Sequence, residues 1–186
     1  IVEKDGQEAD DIIAAIAVEF KGNQVRIVSA DKDIAQIIDD RIKMLIPDRK
    51  GGGGFVLQGA DEVVARFAVK PSQIVDYLSL IGDSSDNIPG VPGIGQKTAA
   101  QLINQFDNLE NLLAHLNQVD RKKLRDSLHQ HRESALLSKR LATIVTDLHL
   151  PMDLEQFGVG EPDKSALFAL FKELEFSSLM KSVSAA

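Results

Sequence analysis

The chain has 186 residues, 44% of them apolar, with a formal net charge of −7 and neither cysteine nor tryptophan. That length supports a real core and one domain, or one domain with a subdomain. Missing cysteine excludes disulfides and thiolate metal sites and fits a cytoplasmic location; no apolar run reaches membrane-spanning length and no signal peptide is visible. The first residue is Ile rather than Met, as expected of a fragment or a processed chain.

Asp5 and Glu8 have the spacing of a capping box, and Ile12, Ile13, Ile16, Ala17 and Phe20 follow at helical periodicity, predicting a helix over 7–20. Residues 25–28 are a short β-branched run, read as a buried strand, and Ile34, Ile37 and Ile38 predict a second short helix. A further strand is expected over 42–46, so helix and strand alternate as in a parallel α/β sheet. The glycine run 51–54 reads as the flexible turn of a hairpin, with 55–57 as the returning strand. Helices follow at 60–67 and 71–81, the second with Pro71 in its first turn. Beyond Gln96 the pattern is helical, at 96–105, 109–116, 121–130, 133–143 and 165–174, with an extended connection at 147–151. The expected fold is therefore α/β: a partial parallel sheet with flanking helices over 1–70, a helical lobe over 71–181 and a loose tail at 182–186.

Carboxylates gather at three junctions: Glu8, Asp10 and Asp11; Asp31 and Asp33; Asp83 and Asp86. Each cluster has a plain reading. Acids suit the first turn of a helix, and an Asp-x-Asp after a strand caps a solvated loop or serves as a phosphatase nucleophile. Taken together they suit hard divalent cations, which take oxygen ligands, and Asp31 and Asp33 follow a strand's carboxyl end, where ligands collect in α/β sheets. Two such ions can serve phosphodiester hydrolysis, and several carboxylates are needed to hold them.

Immediately after Asp86 the chain reads Ile-Pro-Gly-Val-Pro-Gly-Ile-Gly-Gln-Lys-Thr-Ala-Ala over 88–100. Gln96 is one residue too many for a nucleotide-triphosphate loop, and the two prolines make poor strand for a dinucleotide fingerprint. An ordinary interhelix loop and a helix–hairpin–helix type turn remain. In the second, Gly90, Gly93 and Gly95 let backbone N–H groups approach a phosphate at a helix N-terminus, and Ala99 and Ala100 let helices pack closely. Charge is unevenly spread: residues 1–20 carry six acids against one Lys, whereas 121–140 hold seven bases, including Arg121, Lys122 and Lys123, against two acids. The basic run is either a solvated helix face or a phosphate contact.

The stretches GQEADDIIAAIA, VSADKDIAQII and GDSSDNIPGVPGIGQKTAAQLI resemble the 5′-nuclease family, most of all the 5′–3′ exonuclease domain of bacterial DNA polymerase I, with flap endonucleases more distant. The likeness runs from about Gly6 to Leu179. It implies metal-dependent hydrolysis of DNA near a 5′ end or flap in replication and repair; whether a polymerase is joined to the parent chain is left open by the sequence. It implies Glu8, Asp10, Asp11, Asp31, Asp33, Asp83 and Asp86 as ligands of Mg²⁺ or Mn²⁺, two ions being expected. It further implies a helix–three-turn–helix element that grips duplex DNA. There Gly90, Val91 and Ile94 match positions whose carbonyls hold K⁺, Gly93 and Gly95 shape the turn, and Lys97 and Thr98 reach a phosphate. In the family, a segment ahead of Gly6 supplies a sheet strand, further acids and a basic arch. A chain lacking them would be a DNA-binding module without activity, and a nuclease acting on RNA is a third reading.

Overall fold

A computed structural model of the chain describes residues 1–48, 54–151 and 153–184. Two compact units are present, Ile1–Leu150 and Pro151–Ala186. Among the described residues, no helix is long and apolar enough to cross a membrane.

Helix α1 (Ala9–Glu19) buries Ile12, Ala14, Ala15 and Ala17. It begins two residues later than its pattern predicts, and the expected capping box does not form. Gly6 turns the chain at φ +75°, and Glu8 becomes the N-cap without any side-chain bond to the helix. Asp10 and Asp11 complement the dipole in the first turn.

Strands β1 (Val25–Val28) and β2 (Ile42–Pro47) pair in parallel, Val25 opposite Ile42. Strand β3 (Phe55–Gln58) returns antiparallel to β2, so the expected hairpin adds an antiparallel edge to the parallel pair. Gly51, Gly52 and Gly53 of the expected turn lie outside the described residues. Ile27, Ile42 and Met44 point into the core, whereas Val28, Phe55, Val56 and Leu57 are exposed along the outer strands. The short helix expected between β1 and β2 is a five-residue 3-10 turn, Asp33–Ile37. A segment that short cannot repay α-helix nucleation, and the tighter turn already buries Ile34 and Ala35.

Helix α2 (Ala60–Phe67) starts at Gly59, whose N–H donates to Glu62 Oε2 at 2.8 Å. A 3-10 turn, Pro71–Gln73, leads into α3 (Ile74–Ile81). Helix α3 is enclosed on almost every side, with Ile74, Asp76, Tyr77, Leu78, Ser79 and Leu80 buried. Against it pack α4 (Gln96–Phe106), α5 (Leu109–Ala114) and α7 (Arg132–Ala142), and α6 (Lys122–Gln130) packs on α7. The buried Asp76 carboxylate accepts from Lys139 Nζ at 2.7 Å and from the Leu109 N–H at 3.2 Å, and Lys139 also meets Glu110 at 2.7 Å. A charge enclosed this deeply must be paired, so these bonds fix α3, α5 and α7 to one another.

In the second unit α8 (Lys164–Glu173) packs on α9 (Ser177–Ser184), with the Phe171 and Phe176 rings 6.5 Å apart. Residues 182–184 are thus helical, where the sequence suggests a loose tail.

After α3 the backbone reverses. Gly82 (φ +70°) and Gly90 (φ +64°) lie against each other, and between them Asp83 and Ile88 form an antiparallel bridge. A Cβ on Gly90 would sit 2.5 Å from Gly82 N, and one on Gly82 would sit 2.6 Å from the Ile88 carbonyl oxygen. Both polar groups of Gly90 are taken by α7. Its N–H donates to Ser138 Oγ at 2.9 Å and its carbonyl accepts from Ser134 Oγ at 2.9 Å. Ser127 Oγ of α6 donates to the Pro92 carbonyl at 2.7 Å. Gly95, the N-cap of α4, has open space where a Cβ would go. Urea denaturation should therefore separate the two glycines. Gly90→Ala should lose about 2 kcal/mol or more, through steric overlap with backbone and a left-handed φ. Gly95→Ala should lose less than about 1 kcal/mol, the scale of a changed N-cap.

Candidate metal centre and nucleic-acid interface

Three separate parts of the chain converge on one cavity of about 310 Å³. Glu8, Asp10 and Asp11 reach it from the start of α1, Asp31 and Asp33 from the turn after β1, and Asp86 from the loop between Gly82 and Gly90. Residues 140–145, the end of α7 and the irregular segment after it, form a further wall with Ile88. Arg140 supplies a cation there among the acids.

Local bonds set the acids in place. Asp31 Oδ1 accepts the Asp33 N–H at 3.0 Å, which closes the turn at the end of β1. Asp11 Oδ1 accepts the Val145 N–H at 2.8 Å, joining α1 to the wall. Gln36 holds the same wall from the other side: its amide nitrogen donates to the Ala142 carbonyl at 3.0 Å, and its oxygen accepts the Ile144 N–H at 3.0 Å.

The electrostatics follow from that crowding. Burial pushes the Asp33 carboxyl up to about 6; Lys32 opposes the rise, and Asp31, Asp86 and Asp10 add to it. Burial also raises Asp10, and its neighbours Asp31, Glu8, Asp11 and Asp86 raise it further. Carboxylates from all three segments thus destabilise one another's charged forms. Asp33 Oδ1 is buried with no hydrogen-bond partner. An all-oxygen donor set, mutual repulsion and an orphaned buried carboxylate oxygen fit a hard divalent cation such as Mg²⁺ or Mn²⁺. Among the described residues, no three acidic or His side chains stand close enough to form a ready-made ligand set for a single ion.

Asp83 is placed differently from the other six acids. It is absent from the walls of the acidic cavity, and its carboxylate pairs with Lys32 and accepts from the N–H and Oγ of Ser85. It lines a second cavity, of about 600 Å³, with Lys32, Gly95 and Gln96 among its neighbours. Spacing alone could not separate Asp83 from Asp86.

The glycine turn presents a mixed surface. Val91 and Ile94 are buried and anchor the turn, and the Ile94 N–H donates to the Val91 carbonyl at 3.1 Å. Gly93 (φ +82°) and Gly95 are open, Lys97 is exposed at the start of α4, and Thr98 is half-buried one residue on. Arg121, Lys122 and Lys123 are exposed at the N-terminus of α6, whose Ser127 touches the turn at Pro92. Three bases at that end of a helix oppose its dipole, so an anion placed there would relieve both. The sequence pattern did not mark Lys32, Gln36 or the three serines, and it marked Arg140 only as part of the basic run 121–140, not as a neighbour of the acids. Each serine acts through one bond and Gln36 through two bonds to distant backbone, and only the fold brings those partners within reach.

Residues 1–68 match the family described as 5′-3′ exonuclease, N-terminal resolvase-like domain, and residues 69–165 match 5′-3′ exonuclease, C-terminal SAM fold. The chain is 41% identical over 181 residues to DNA polymerase I of Bacillus caldotenax, an alignment covering 96% of this chain and 20% of that protein. It is 40% identical to the thermostable DNA polymerase I of Thermus caldophilus, covering 96% of this chain and 21% of the polymerase. The chain therefore spans about a fifth of the length of these relatives. Among solved structures, a mutant of bacteriophage T5 5′-exonuclease superposes with TM-score 0.65 at 25% identity, over 76% of this chain and 57% of that one. The catalytic core of Rad2 in complex with a DNA substrate shares the fold at TM-score 0.64 and 17% identity, over 96% of this chain and 63% of that one. The chain belongs to the 5′-3′ exonuclease family, and it carries both the resolvase-like and the SAM-fold parts by which that family is described.

Proposed function

We propose that this chain is part of a 5′–3′ exonuclease or flap endonuclease that hydrolyses DNA phosphodiesters near 5′ ends with the help of divalent metal. The observation that supports it is the meeting of six carboxylates from three distant segments in one cavity, each raising the cost of charging the others. Glu8, Asp10, Asp11, Asp31, Asp33 and Asp86 would hold Mg²⁺ or Mn²⁺, and the size of the set suits two ions. Bound there, divalent ions would supply Lewis acidity toward water and toward a phosphoryl oxygen. The protein's own part is positional. The carboxylates act as ligands and not as covalent nucleophiles. Arg140 faces the same cavity and suits a phosphate oxygen, and the wall at 141–145 limits the space beside it.

Duplex DNA is the proposed partner, gripped on its backbone without base reading. The open N–H groups at Gly93 and Gly95, with Lys97 and Thr98, form one contact, and Arg121, Lys122 and Lys123 a second. The carbonyls of Gly90, Val91 and Ile94 are the proposed K⁺ ligands. The bonds that the first two accept leave each a lone pair. A 5′ end or flap as the preferred structure, a polymerase joined to the parent and a cytoplasmic setting complete the proposal. A second reading is a duplex-binding module without activity, which would rest on the glycine turn and the exposed bases at the start of α6.

Incubated with a 5′-flap duplex and Mg²⁺, the chain should release 5′ products, and Asp31→Ala should reduce release to the level of buffer alone. Binding without cleavage by the parent chain would establish the second reading, and cleavage retained by the variant would place the activity elsewhere.

Metal-free stability should carry the mark of Asp33. Its folded value of about 6 lies above the ordinary 3.8, so the folded chain binds the proton more tightly than the unfolded one. Stability should therefore fall as pH rises from about 4 through about 6, and stay low above that. Asp33→Asn should flatten this slope, raise the metal-free Tm at pH 7.5 by roughly 2–4 °C for each kcal/mol recovered, and blunt stabilisation by Mg²⁺.

Duplex binding by fluorescence anisotropy should be lost in Gly95→Val, with the circular dichroism spectrum unchanged. Lys97→Ala should weaken binding to all sequences alike and lower the salt slope by about 1.

A further inference from the structure

We propose that the cavity of about 600 Å³ beside the glycine turn is a site for a nucleoside 5′-monophosphate, with the base against Phe67 and Tyr77 and the phosphate at the start of α4. The choice of ligand class rests on the nucleic-acid reading above. Tyr77 is the residue that points to a ligand. It is 2% exposed in the middle of α3, yet it lines the cavity. Among the described residues no hydrogen bond reaches its hydroxyl, and burial holds the phenol proton more tightly than usual. A buried phenol ordinarily finds a partner, so a donor left over at a cavity wall suits an acceptor that arrives from outside. The Phe67 ring meets Tyr77 edge to face, with centroids 5.9 Å apart and planes at 66°, and makes an aromatic corner. Arg66 lies over Phe67, 4.7 Å from the ring centroid, and steadies it. Ile81 and Ile94 extend the apolar wall, and Lys32 and Asp83, paired with one another, add a donor and an acceptor. A nucleobase is a flat ring with donors and acceptors on its edge, and any base can lie on an aromatic side chain. The volume is in the range of small-ligand sites, about 300–1,000 Å³.

The phosphate has its own place. Gly95 and Gln96 line the cavity, and the first helical bond of α4 runs from the Ala99 N–H to the Gly95 carbonyl at 2.9 Å. The N–H groups of Gln96, Lys97 and Thr98 precede it, at the positive end of an 11-residue helix whose first turn carries no acid. That end is also the proposed contact with duplex phosphate. A 5′–3′ exonuclease that cleaves the P–O3′ bond releases this class of molecule, so product would compete with duplex for one helix end. The same unit is presented by a free nucleotide and by the 5′-phosphorylated end of a strand.

The experiment uses the full chain stripped with chelator, so that no phosphate is held through metal. The chain has one tyrosine, and its ring signals in NMR therefore report on the cavity directly. Titration with 2′-deoxyadenosine 5′-monophosphate should shift those signals and saturate. Deoxyadenosine should need about 10-fold more, the loss of one charge-assisted hydrogen bond, and inorganic phosphate should leave the signals in place. Phe67→Leu should weaken the nucleotide about 10-fold, the lower end of what a base loses with its stacking partner. Tyr77→Phe, followed by saturation transfer to the adenine protons, should weaken it several-fold without lowering Tm, whereas a merely structural tyrosine would leave binding unchanged. Saturating nucleotide should also release labelled duplex. A 5′-phosphorylated oligodeoxyadenylate that shifts the ring as the nucleotide does would support the site with strand ends as its source; one that does not would support it with the free nucleotide. No saturable shift, deoxyadenosine binding as tightly as the nucleotide, undiminished binding by Tyr77→Phe, or duplex left in place by saturating nucleotide would overturn the proposal. In each of these cases duplex binding by the chain without nucleotide would leave the nuclease reading standing. Saturable nucleotide binding by a chain that neither binds nor cleaves duplex would support the site and overturn that reading.

Discussion

The contact of Gly82 with Gly90 is the constraint from which the candidate site is built. Two backbones approach so closely there that neither position has room for a Cβ, and both take positive φ. The approach alone would leave a buried N–H and carbonyl at Gly90 unsatisfied, a cost of about 1–3 kcal/mol for each such group. Ser138 and Ser134 take both. The crossing thereby joins the end of α3 to the middle of α7, and it sends the chain out twice. One excursion, from 83 to 88, carries Asp86 to the acidic cavity. The other, from 91 onward, forms the glycine turn and starts α4. The spacing between candidate metal centre and candidate phosphate grip is thus set by packed backbone.

Helix α3 is what makes that crossing rigid. Enclosed on nearly all sides, it is held by Asp76, whose charge is matched by Lys139 of α7 and by an amide of α5. An unpaired carboxylate at that depth would cost far more than any single apolar contact returns. Lys139 and Ser138 are adjacent on α7, so one turn of helix both neutralises Asp76 and receives Gly90.

Most of the helical organisation was legible in the sequence, because amphipathic periodicity and Gly or Pro boundaries act locally. Helix α2 and the start of α4 coincide with their predicted residues. Errors arose where a local signal had a competitor. Asp5 and Glu8 have capping spacing, yet Gly6 takes a left-handed turn and moves the helix start to Ala9. The isoleucines at 34, 37 and 38 have helical spacing, yet five residues between two strands settle as a 3-10 turn. Around the acidic cavity, types and spacing marked the six acids that line it, because clustered carboxylates after a strand and at a helix start stand out locally. Partners could not be read. Nothing in Asp-Lys-Asp announces that the central lysine turns toward Asp83, 51 residues on, or that Gln36 braces residues 142–144.

Charge distribution ties these levels together. A chain with a net charge of −7 that concentrates six carboxylates in one cavity accepts a penalty in its metal-free state, visible in the raised Asp33 and Asp10. That penalty is informative because cheaper arrangements were open to the sequence. Acids at the first turn of a helix or in a solvated loop ordinarily face water and keep ordinary acidity. Here the fold turns them toward each other and buries one oxygen of Asp33 without a partner. Lys32, at the centre of the cluster in sequence, offsets only part of this, since burial and the neighbouring acids still hold Asp33 raised while its ammonium pairs with Asp83. The cations at hand, Arg140 in the lining and Lys32 beside Asp33, leave the acids in excess, so the cavity keeps a net negative charge that the fold does not cancel.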